Sequence, residues 1–75
     1  MYYQVVEEKC EEGIKARYSK NQRIDDVELS NLMSDFAKYK FEKINTLTKI
    51  NYRFYYYDLF GAEINLYSLN LNKIK

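Results

Sequence analysis

A chain of 75 residues with 12 Lys/Arg against 11 Asp/Glu, and so a net charge of +1, has no global electrostatic pull toward nucleic acid or anionic membranes. It makes one domain, residues 1–75, with a single thin core, because a chain this short buries only roughly 60% of its unfolded surface. The absence of histidine and the single Cys10 exclude a Ser-His-Asp or Cys-His set, a four-cysteine zinc site and an internal disulfide framework.

The first twenty residues admit two readings. As a helix, Val6, Cys10, Ile14 and Tyr18 recur every four positions, with Glu8, Glu11, Glu12 and Lys15 on the other side. As strands, the β-rich Tyr2-Tyr3-Gln4-Val5-Val6 begins a segment 2–8 that pairs with 14–19 through a turn at KCEEG. The helix has the better periodicity, although Gly13 would cost it about 1 kcal/mol.

Glu7, Glu8, Glu11 and Glu12 read as a solvated acidic face, able to act as an acidic contact patch for a basic partner. A run of like carboxylates offers neither the contrasting environments of an acid/base pair nor converging metal ligands, so no catalytic residue, metal or cofactor is expected. Cys10, among glutamates and without a base, reads as a small buried hydrophobe. MYYQVVEEKCEEG lacks the basic and apolar blocks of a secretory leader, and no apolar run reaches the ~18 residues of a membrane span. A cytoplasmic protein with no membrane partner is the expectation.

A helix is expected at about residues 26–44. Asp25 is placed as its N-cap with Glu28 completing a capping box, and Ile24 and Leu29 are spaced as a hydrophobic staple. Leu29, Leu32, Met33, Phe36, Ala37, Phe41 and Ile44 form its apolar face, and Asn45 can stop it in a left-handed conformation.

A β-hairpin follows, at about 47–57 and 62–72. Ile50, Tyr52, Phe54 and Tyr56 alternate with Lys49, Asn51, Arg53, Tyr55 and Tyr57, the period of a half-buried strand. Asp58-Leu59-Phe60-Gly61 suits a turn with Gly61 left-handed, which sets Asp58 opposite Ala62, Tyr56 opposite Ile64 and Phe54 opposite Leu66. The second strand changes phase, since Ile64 and Leu66 point one way and Leu69 and Leu71 the other. Either a bulge near Tyr67-Ser68 rotates it, or those leucines meet another layer. The fold class is therefore α+β, ααββ or ββαββ, with the hairpin packed on the helix.

That register also sets Arg53 opposite Tyr67, and Arg53, Tyr55, Tyr57 and Tyr67, with Lys49, share the face away from the helix. Tyrosine and arginine there suit a partner-binding surface. The expected function is a small non-enzymatic protein-binding module. Size and composition liken it to phage or mobile-element inhibitors that occlude a host defence protein, as anti-CRISPR proteins do. A homodimer through the same face is a variant. The alternative is single-stranded nucleic acid stacked on the tyrosines, which the C-terminal half favours with seven Lys/Arg against three Asp/Glu.

Overall fold

A computed structural model describes all residues, 1–75. Strand β1 (Tyr2–Cys10) leads through a loop to the short β2 (Arg23–Asp25) and helix α1 (Asp26–Asp35), followed by β3 (Lys40–Asn45), β4 (Lys49–Tyr57) and β5 (Glu63–Ile74). The strands form one antiparallel sheet in the order β2-β1-β5-β4-β3, with α1 on one face. This is the α+β class, built from one helix and five strands.

The N-terminal segment is a strand, not a helix. Its apparent four-residue period arises because Val6 is an extra residue, bulged and exposed between Val5 and Glu7. Beyond the bulge, Cys10 returns to the helix face, where Ile14 and Tyr18 of the loop also pack. The turn expected at KCEEG is present, with Gly13 at φ +90, but residues 14–19 do not form the second strand of a hairpin. Their amides go elsewhere: the Glu8 carboxylate accepts from Arg17 N at 2.9 Å and Tyr18 N at 3.4 Å. A side chain has replaced a backbone ladder, and β1 pairs with β5 and β2 instead.

The helix begins as its sequence dictates. Asp25, in extended conformation, accepts from Glu28 N at 3.0 Å, and Ile24 and Leu29 are both buried. It ends nine residues sooner than the expected 44, at Asp35 with Phe36 as C-cap. The apolar spacing explains why: Leu29, Leu32 and Phe36 step by three and four, but Phe41 lies five beyond Phe36, off the stripe. Residues 40–45 instead pair with β4, whose outer ladder would otherwise be unfilled. Phe41 and Ile44 leave the helix face for opposite faces of an edge strand, and both stay about half exposed.

The hairpin forms with the expected turn. Asp58 N donates to Ala62 O at 3.0 Å, Gly61 sits at φ +80, and Tyr56 faces Ile64. Then the register shifts: Tyr55 faces Asn65, but Phe54 faces Tyr67, leaving Leu66 as the extra residue. Phe54 opposite Leu66 and Arg53 opposite Tyr67 are thus both corrected, and Arg53 faces Ser68. The bulge lies just before the expected Tyr67-Ser68 position, and it turns Tyr67, Leu69 and Leu71 toward the helix.

Only 13 residues are buried, so the core depends on a few large side chains, of which Tyr67 is the largest fully enclosed. Phe36 stacks on Phe54 at 4.8 Å and on Tyr67 at 5.0 Å between ring centroids. The Tyr67 hydroxyl donates to the Glu8 carboxylate that also holds the 17–18 loop. Burial first, and then that hydrogen bond, push the Tyr67 phenol well above its ordinary value of 10.0. Tyr3, near the other end of the β1–β5 ladder, is pushed up to about 12, chiefly by donating to Asp26 at 2.7 Å.

Both phenols keep their protons longer in the folded chain than in the unfolded one. Their contribution to stability is complete below pH 10.0 and falls as the pH rises above it; for Tyr3 the loss ends at about 12, whereas for Tyr67 it continues beyond. Urea unfolding of Tyr67→Phe should show a loss of about 1.5–3 kcal/mol at neutral pH, the range for a hydrogen bond to a charged acceptor. The same variant should lose less of its remaining stability than the parent between neutral and strongly alkaline pH.

Candidate functional site

The hairpin outruns its neighbours. β3 begins opposite Tyr55, and β1 ends opposite Tyr67, so residues 56–64 form a two-stranded finger with no strand on either side. The molecule is correspondingly long, 43 × 24 × 19 Å. This explains why Tyr56, expected in the core, is exposed although it shares the helix side with Phe54. Nothing lies over it at that height.

At the tip, Leu59 and Phe60 are 101% and 95% exposed. The loop that carries them is held in shape. The Asp58 carboxylate accepts from Phe60 N at 2.8 Å and Ala62 N at 2.9 Å, and Gly61 N donates to Asp58 O at 3.1 Å. Two large apolar side chains therefore stand in water on an ordered backbone, where turn chemistry usually places polar residues.

At the base of the finger, on the face away from the helix, lie Arg53, Tyr55 and Tyr57. The Arg53 guanidinium rests 4.4 Å from the Tyr55 ring centroid and donates to Glu63 at 2.9 Å and Asn65 at 2.6 Å. Glu42 on β3 adds an ion pair at 3.6 Å. Tyr55 meets Tyr57 edge-to-face at 5.8 Å, and the Lys40 ammonium sits 5.9 Å from the Tyr57 ring centroid. The hydrogen bond that Arg53 donates to Glu63 is the largest influence raising the Arg53 pKa, so its charge is fixed and internally answered.

The sequence-expected set is thus only partly assembled. Arg53, Tyr55 and Tyr57 are together. Tyr67 is 1% exposed on the opposite face, removed by the bulge, and cannot serve as a surface contact. Lys49, four residues along the strand from Arg53, stands about 13 Å away at a rise of ~3.3 Å per residue. The acidic patch is also divided. Glu7 and Glu8 fall on opposite sides of β1, Glu8 is engaged by the 17–18 loop and Tyr67, and Glu7, Glu11 and Glu12 remain exposed. Burial, then the charge of Glu8, raise the Cys10 thiol above its usual value, and no cluster of His, Cys, Asp or Glu is arranged to hold a metal.

The residues that pattern reading missed are Leu59 and Phe60, assigned only to the turn. The signal was present: an apolar pair in the centre of a hairpin loop has no core to reach. No protein-family profile, no curated protein and no solved structure matches this chain.

Replacing Asp58 by Ala removes the acceptor for two loop amides. We expect a stability loss of about 1–2 kcal/mol and faster hydrogen exchange at Phe60 and Ala62, with the amides of β1 unaffected.

Proposed function

We propose that the protein is a non-enzymatic protein-binding module that inserts its hairpin finger into an apolar cleft of a partner protein and occludes it. The observation that carries this reading is the full exposure of Leu59 and Phe60 on a loop fixed by Asp58. Exposed apolar anchors that are already ordered lose little entropy on docking, and such anchors dominate interface energies. Tyr56 and Tyr57 extend the contact along the finger, and Arg53 and Tyr55 form its polar base. Glu11 follows the end of β1 beside this base, its N–H bound to Leu66 O, so the exposed Glu11 and Glu12 are placed to steer a basic rim.

Occlusion asks only for a surface, which suits a chain of 75 residues. It is the mode of action of the small anti-defence inhibitors of phages and mobile elements, and a host protein in the cytoplasm is the partner this reading proposes. The competing reading, stacking of single-stranded nucleic acid, has less support. Arg53 is answered by Glu42 and Glu63, which would repel phosphates, and Tyr67 is unavailable for stacking.

The test is paired capture from lysates of candidate hosts with parent protein and with Leu59→Ser/Phe60→Ser. The variant should keep the parent's melting temperature, since neither side chain touches the core. A protein retained stoichiometrically by the parent and released by the variant supports the reading. Equal capture by both, or saturable binding of oligonucleotides by the parent, would contradict it.

A further inference from the structure

The two edges of the sheet are treated differently. At the β2 edge, β1 is covered by three residues of β2, then by Val5 exchanging backbone hydrogen bonds with Asn21 and Gln22, then by the loop held on Glu8. At the other edge β3 pairs with β4 alone, and all six of its residues are exposed. An edge of that length is a template for another strand unless something blunts it.

What blunts it is specific to self-pairing. Two copies joined antiparallel about a twofold axis normal to the sheet must oppose residues of the same face. On β3 the alternation places Phe41, Lys43 and Asn45 on the helix side and Lys40, Glu42 and Ile44 on the other. The two registers that use most of the strand then set Glu42 against its own twin or Lys43 against its own twin. Like charges directly opposite destabilise a pair, fully for Lys43 and less for Glu42, which has Arg53 beside it, so a second copy is disfavoured.

A foreign strand meets no such obstacle. Glu42 is already answered by Arg53, whereas Lys38, Lys40 and Lys43 have no carboxylate partner, so the net field along the edge is positive. Phe41 and Ile44, 49% and 51% exposed, offer one apolar contact on each side. Below β3 on the helix side the single helix, about 10 Å wide, leaves part of a sheet of roughly 19 Å uncovered. The result is a groove of about 590 Å³ whose wall includes the apolar Leu29, Met33, Ile50 and Tyr52 and the charged Lys43 and Asp26.

We propose that β3 is a docking edge for an extended acidic segment of a partner protein, which adds a sixth strand. Backbone hydrogen bonds supply the pairing, acidic side chains answer Lys40 and Lys43, and an apolar side chain of the segment enters the groove. The surface is distinct from the finger, and its readouts lie on β3, so the proposal stands or falls separately from the occlusion reading.

The probe is a capped peptide of about eight residues in which Glu-Glu and Val-Val pairs alternate, so that each face of the added strand carries both residue types, long enough to span β3. Its controls are a Lys-Val counterpart and a Glu-Val peptide N-methylated at alternate amides. We expect saturable binding of the Glu-Val peptide, with amide shifts and slowed hydrogen exchange centred on residues 40–45. Lys40→Glu/Lys43→Glu, which should fold normally because both side chains are exposed, should weaken it about tenfold, or 1.4 kcal/mol. The N-methylated peptide should not bind. Absence of binding, equal affinity for the Lys-Val peptide, shifts confined to the opposite sheet face, or concentration-dependent dimerisation through β3 would each overturn the proposal.

Discussion

Between Asn65 and Tyr67 the second strand of the hairpin carries one residue more than its partner, and the helix side of the sheet depends on that surplus. With Leu66 taken up as a bulge, Tyr67, Leu69 and Leu71 face the helix opposite Phe54, Tyr52 and Ile50. Without it those three would face water, and Ser68, Asn70 and Asn72 would be driven under the helix with no partners for their polar groups. The bulge also delivers the Tyr67 hydroxyl to Glu8, which in turn gathers the 17–18 loop. Arg17 then reaches Asp35 at the end of the helix. One inserted residue thus connects β5, the N-terminal strand, the loop and the helix terminus.

The same arrangement decides what stays exposed. A helix of ten residues covers the centre of a sheet whose central strands run to nine and twelve. Beyond it the hairpin continues alone as the finger, and beside it β3 lies partly uncovered. Neither exposure is a random apolar residue on a surface. Leu59 and Phe60 occupy an ordered turn, and the β3 edge carries a charge pattern that opposes pairing with itself. In so small a chain, the surfaces open to a partner are the parts the core does not reach.

Much of this was legible in the residues, and the misses have physical causes. The Asp25 cap, the Asp58–Gly61 turn and the Tyr56–Ile64 pairing are local signals, set by side chains that bond backbone a few positions away. The helix end was misread because Phe41 and Ile44 can be placed on a broad helical stripe, while the demand of β4 for a second partner is not visible locally. The N-terminal strand was obscured by a bulge at Val6, which shifts an alternating pattern into one that imitates a four-residue period. On the open face, Arg53, Tyr55 and Tyr57 follow the alternation of β4 and lie together. Tyr67 does not join them, because the residue pattern shows a phase change in β5 without fixing the residue that absorbs it. A bulge position depends on which side chain fits under Phe36, and that is a question of packing rather than pattern.

Cross-strand Hα–Hα nuclear Overhauser effects in the hairpin test this account most directly, because the opposed residues that do not exchange backbone hydrogen bonds bring these protons close. Below the bulge Tyr57 should be paired with Glu63 and Tyr55 with Asn65, and above it Arg53 with Ser68 and Asn51 with Asn70. Contacts of Arg53 with Tyr67 and of Asn51 with Leu69 would show an unbulged ladder, put Tyr67 on the open face, and contradict the account.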